Sequence, residues 1–208
     1  MRLYKQITPF TCGPSCALMV LHHYFNTKFS KENELEIWKK MMAIPFKITL
    51  PLTSSNFLLE KNLKVNLISN KLKVEKKGCQ ICFKYENIQK EQQDNYFKIF
   101  NYYYNKIQLK KFRVKGEWIK KVPEIFNIKN GLILALIDTY LFDQFLNKKR
   151  KLHVPDWVLV TKEKRNLKVY SPWYKKIIKP PIPLLQKSIL STEKEFNIPS
   201  SILLVNKK

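Results

Sequence analysis

Apolar positions in the first third of the chain fall at helical spacing. Ala17, Leu18, Leu21 and Phe25 recur at three- and four-residue intervals behind Gly13-Pro14, predicting a helix over 14–25 with a buried face. Leu35, Trp38 and Met42 predict a second helix opening after Ser30, and a third runs from Ser54 or Ser55, as N-cap, to Asn62. Val65 and Leu67 alternate with polar residues, which predicts a strand over 64–69. Residues 71–121 show no clear period, and the aromatic stretch 96–104 fits helix or strand equally. After Gly131 the pattern sharpens. Strands are expected at 132–140, 157–161, 167–170 and 202–205, with charged loops at 143–154 and 162–166. The middle two form an antiparallel hairpin. Helices first and antiparallel strands afterwards make the fold α+β, in one domain over 1–208 with 71–121 as an insertion.

Composition adds constraints. In 208 residues, 45% are hydrophobic, enough for a real core and too many for wholesale disorder. The net charge is +23, yet 35 of the 39 basic residues are Lys and 4 are Arg. Planar recognition of phosphate and guanine favours Arg, so nucleic acid is disfavoured as a partner. Biased composition accounts for the lysines without any partner; an anionic one would be an acidic peptide, a membrane surface or nucleic acid. With 4 glycines, no phosphate-cradling loop exists, and no cofactor is expected. Residues 1–10 lack the apolar stretch of a signal peptide, and 132–137 is too short for a transmembrane segment. The 4 cysteines do not amount to a disulfide framework, and the expected location is cytoplasmic.

Candidate chemistry concentrates at Gln6-Ile-Thr-Pro-Phe-Thr-Cys12-Gly-Pro-Ser15. A cysteine at a helix start sits where backbone N–H groups and the helix dipole favour a thiolate. The same donors can hold an oxyanion, and Gln6 can add a side-chain amide. The plainer reading is a buried cysteine at a turn. Cys16, one turn later, reads as packing or as a disulfide partner of Cys12 under oxidation. His22 and His23 lie too far along the helix to reach the thiol. Cys79-Gln-Ile-Cys82 is a lone CxxC, open to zinc, redox or plain thiol roles.

The Gln6-(x5)-Cys12-Gly13-Pro14-Ser15 motif resembles the nucleophile motif of the bacteriocin-processing cysteine peptidase family and its stand-alone relatives, which are papain-like. Glu34–Trp38, the run 131–142, Val154-Pro-Asp-Trp157 and Val169-Tyr-Ser-Pro-Trp173 resemble further family segments in collinear order. The resemblance implies a papain-like fold, Cys12 as nucleophile and Gln6 in the oxyanion hole. Two positions depart from the family. Asp156 stands where the family has its catalytic His, and Ser171 where it has the Asp that orients that base. His153 is then the candidate base, with Asp156 as its orienter. The leading expectation is a thiol enzyme acting on a peptide or related acyl bond, its substrate a peptide or protein, acidic ones included. The alternatives are a catalytically inactive peptidase-like domain that binds peptides, and a basic interaction protein that binds an anionic polymer.

Overall fold

A computed structural model describes residues 1–71, 74–107, 131–149, 151–163 and 166–208. Parts of the unreadable middle (72–73 and 108–121), and Arg150 of the basic run 148–151, lie outside the described residues.

Helix α1, Cys12–Phe25, is buried on every side from Gly13 to Leu21. Such a helix is the centre of a core rather than its edge. Asn26, in the left-handed conformation at φ 53°, ends it. Helix α2, Lys31–Met41, opens after Ser30 as expected, because the Ser30 hydroxyl accepts the Asn33 N–H at 3.1 Å. Helix α3, Pro51–Glu60, begins earlier than expected. Pro51 suits the first turn, where its missing N–H costs nothing, and Thr53 Oγ1 accepts the Leu50 N–H at 3.1 Å. Ser54 and Ser55 are therefore buried helix residues and not caps.

Strand β1 spans Leu63–Ser69. The middle segment forms α4 (Gln80–Tyr85) and α5 (Gln93–Asn105). In α5 the aromatic stretch proves helical, with Phe100 and Tyr104 buried while Tyr102 and Tyr103 stay exposed. Strand β2, Leu132–Asp138, stops short of the expected Tyr140. Asp138 ends it by accepting the Tyr140 N–H at 3.2 Å, which caps α6, Thr139–Phe145. Strands β3 (Pro155–Glu163) and β4 (Asn166–Ser171) form the expected hairpin, and β5 is Lys176–Ile178. Helix α7, Ile182–Phe196, falls in a stretch for which the sequence pattern gave no assignment; it opens on Pro181 and carries Pro183 in its first turn. Prolines in a first turn break nothing, and Leu185, Ile189 and Phe196 supply its buried face. Strand β6 is Ser201–Lys207.

The strands form one antiparallel sheet in the order β1-β6-β2-β3-β4-β5. The fold is thus α+β, with helices on both faces of the sheet. Leu134, Leu136, Trp157 and Leu159 point into the core built around α1. Ile133, Ala135, Val158 and Val160 point the other way, toward Phe142 of α6 and Leu185 and Ile189 of α7. Period-two alternation along β2 and β3 makes one sheet serve two cores. Among the described residues no helix is long and apolar enough to cross a membrane.

Gly13 lets α1 approach Thr49 and Trp157 of β3 closely. A Cβ there would lie 2.1 Å from Thr49 Oγ1 and 3.1 Å from Trp157 Cδ1. Gly13→Ala should lower stability by about 1–3 kcal/mol. Urea unfolding checks this, and an unchanged midpoint would mean the junction is looser than described.

Candidate active site

Cys12 is the first residue of α1, and the segment before it is held by a buried carboxylate. Glu34 Oε1 accepts the Ile7 N–H at 3.1 Å and the Ser15 hydroxyl at 3.0 Å, tying the segment before Cys12, α1 and α2 together. The Thr11 hydroxyl accepts the Thr8 N–H at 3.2 Å, which shapes the turn into the helix. Opposite stands β3. Its Trp157 indole donates to Thr49 O at 3.1 Å, and the Trp157 carbonyl accepts the Cys16 thiol at 3.3 Å. These contacts bring Cys12 against Asp156, the residue before Trp157.

Asp156 is 1% exposed. Its carboxyl receives hydrogen bonds from the Cys12 thiol and from the Ser171 hydroxyl, the latter at 3.4 Å. The Ser171 oxygen in turn accepts the Tyr174 N–H at 3.1 Å. Loss of water is the dominant influence and pushes the Asp156 carboxyl up to about 7, although the hydrogen bonds from Cys12, Ser171 and the Trp157 N–H pull it down. The Cys12 thiol is raised well above the usual range, first by burial and then by the Asp156 charge; N–H groups of Trp157 and Gly13 offset only part of this. The proton therefore stays on sulfur.

The order Cys12, Asp156, Ser171 has a consistent hydrogen-bond polarity. An imidazole at the middle position would donate to its third member, which must then accept. A carboxylate can only accept, so its third member must donate, and a serine hydroxyl does. Asp156 and Ser171 are thus matched as acceptor and donor.

Other expected residues fall elsewhere. His153 does not pair with Asp156. Its Nδ1 lies 2.7 Å from Asp138 Oδ2, and its ring stacks on Tyr140 at 4.2 Å and 3°. The cause is the early end of β2, which turns the buried Asp138 carboxylate toward the 151–154 loop. The rearranged Cys12–His153–Asp156 set is corrected accordingly. Gln6 Nε2 donates to Thr8 O at 2.9 Å, which engages the amide expected for the oxyanion hole. His22 Nδ1 pairs with Thr27 O at 2.9 Å, and His23 is exposed. All 4 cysteines are free thiols. Cys79 and Cys82 are buried, and burial pushes the Cys79 thiol up to about 12. Among the described residues no group of three His, Cys, Asp or Glu side chains is placed to hold a metal ion.

Beside Cys12 lies a cavity of about 220 Å³ walled by Phe10, Ile48, Leu136 and Trp157, and by Ile81 and Tyr85 of α4. Lys47 and Glu86 supply its charged groups, joined by the Lys47 N–H donating to Glu86 Oε1 at 2.7 Å. The only chemical signal in the α4 segment, Cys79-Gln-Ile-Cys82, points to its thiols, whereas it is Ile81 and Tyr85 that face the cavity. The donor role of Ser171 was legible in principle from the identity of Asp156.

A carboxyl raised from about 3.9 in the unfolded chain to about 7 binds its proton more tightly when folded. Native Asp156 thus holds more protons than unfolded Asp156 between these values, and stability falls as pH rises through them. The cost at higher pH is on the order of 4 kcal/mol. Asp156→Asn should match the parent near pH 4 and exceed it by a few kcal/mol at pH 8. Urea titrations across that range check it, and a pH-independent difference would contradict the buried charge.

Residues 1–49 match a family described as a Peptidase_C39 like family. The matched stretch carries Gln6 and Cys12 but neither Asp156 nor Ser171. No curated protein matches the chain. The N-terminal part of the chain is thereby loosely related to C39-type peptidases.

Proposed function

We propose that this chain is a single papain-like, peptidase-like domain that binds a peptide segment in the cleft between α1 and β3, with Cys12 kept as a protonated thiol. The observation that carries this reading is the Cys12–Asp156 contact. In a thiol peptidase the partner of the sulfur becomes a cation when it takes the proton, and the resulting ion pair lowers the thiol pKa. Asp156 can only become neutral, and while charged it repels a thiolate. The apolar cavity beside the thiol, open to the Lys47–Glu86 pair, is a fit for a side chain of an extended peptide.

A second reading has its own observation. With its carboxyl near 7, Asp156 is close to the value at which a general base works best at neutral pH. In that version Asp156 takes the Cys12 proton as sulfur attacks a carbonyl, and Gly13 N–H at the start of α1 faces the growing charge.

Alkylation of Cys12 against pH, followed by mass spectrometry, separates the two. A free thiol half-ionises near pH 8.5, so a protonated resting Cys12 should react roughly tenfold or more slowly than free cysteine at pH 7.5. Asp156→Asn should speed the reaction, and His153→Ala should leave it unchanged. A pool of unstructured peptides should be retained uncut, with retention weakened by Ile48→Asp. Fast alkylation that levels off below neutral pH, or peptide cleavage lost in Asp156→Asn, would instead establish the thiol enzyme.

A further inference from the structure

Three segments distant in sequence meet around one buried carboxylate. Asp143 is 6% exposed. One of its oxygens accepts the Tyr174 hydroxyl at 2.8 Å and the other accepts the Leu152 N–H at 3.1 Å. The rings of Phe142 and Tyr174 stack at 6.4 Å, and Lys148 Nζ lies 5.8 Å from the Tyr174 ring. The end of α6, the loop entering β3 and the turn between β4 and β5 are thereby joined into one surface.

That surface displays three large apolar side chains. Phe145 is 43% exposed, Leu152 36% and Trp173 36%. Lys148, Lys149 and Lys151 are exposed beside the first two, and Lys175 and Lys176 beside Trp173. Among the described residues none of these lysines is in an ion pair. The sequence has no Asp or Glu between Asp143 and Asp156, and none over 166–192. No surface acid in these stretches dilutes the positive charge.

We propose that this surface docks the chain on an anionic lipid bilayer, the lysines meeting lipid headgroups while Phe145, Leu152 and Trp173 enter the boundary with the acyl chains. Lysines near an anionic leaflet are attracted individually, and exposed apolar groups among them add the burial that charge alone lacks. An indole suits the headgroup level, where one part of the ring is apolar and its N–H stays wet. A nucleic acid would reward arginine and stacked rings, and it offers nothing to the Leu152 side chain.

The surface is also pre-shaped. His153, next to Leu152, is clamped between the Tyr140 ring and the Asp138 carboxylate, and the Thr139 hydroxyl donates to Leu152 O at 2.7 Å. The loop therefore loses little freedom on docking. Val154 and Pro155, the next residues, line the cavity beside Cys12, so a docked bilayer lies at the same end of the sheet as the cleft. The proposal stands whether or not Cys12 reacts.

Sedimentation of the full chain with phosphatidylcholine vesicles, with or without phosphatidylserine at about one lipid in four, tests it. Binding is expected only to the anionic vesicles. It should weaken roughly tenfold or more in a variant combining Lys148→Glu, Lys149→Glu and Lys175→Glu, and severalfold in Trp173→Ser. The same charge reversal at Lys28, Lys31 and Lys40, around α2, should cost far less. Should either triple reversal fail to fold, Lys→Gln changes at the same positions make the same comparison. Equal loss from both sites, no effect of Trp173→Ser, or tighter binding to single-stranded oligonucleotide or polyglutamate than to vesicles overturns the proposal.

Discussion

A half-buried thiol and a buried carboxylic acid meet where α1 runs into β3. Both groups are acids, so the pair has only one inexpensive charge state, with at most a single negative charge. Every neighbour described around the pair is a donor. Ser171 gives its hydroxyl to Asp156, while the N–H groups of Gly13 and Trp157 face the sulfur. A histidine in place of Asp156 would need the reverse, an acceptor behind it. The Cys12, Asp156 and Ser171 groups are therefore mutually satisfied as they stand, and satisfaction of a buried polar group is what a fold requires of it.

The contact depends on how closely helix and sheet approach. Gly13 leaves room for Thr49 and for the edge of Trp157, and the Trp157 indole fixes its own rotamer on Thr49 O. From the other side, Glu34 holds the segment before Cys12 and α1 through Ile7 and Ser15. None of these residues need touch a ligand. They set the position of Cys12 to within the tolerance of a hydrogen bond, and loss of any one leaves a buried polar group unsatisfied or a gap.

Much of this was legible in the sequence. The periodicity of 14–25, the alternation along 64–69 and the hairpin of 157–170 report local preference and burial together, and those elements stand where expected. The Cys12 motif, Asp156 and Ser171 were visible as residues. What could not be read was long-range. Whether His153 pairs with Asp156 or Asp138 depends on where β2 ends, and that depends on a cap made by Asp138 to Tyr140. The prolines at 180–183 carry the same signal whether a loop continues or a helix begins. The α4 wall of the cavity arises from a segment whose aromatic residues lack a distinctive period.

The distribution of acids links the cleft to the surface. The chain has 16 Asp and Glu residues, and among the described residues four of them, Glu34, Asp138, Asp143 and Asp156, are buried. Each serves as a joint, because a carboxylate can accept from separate segments at once. Glu34 joins the segment before Cys12 to α1 through Oε1, Asp138 joins α6 to the 151–154 loop, and Asp143 joins that loop to the β4–β5 turn. Using acids as internal joints removes them from the exterior, where they would have screened lysines. The strongly positive surface and the acid-centred interior are thus one allocation of charge. The loop ending at Val154 lies between them, with lysines on its outer side and Asp156 two residues beyond.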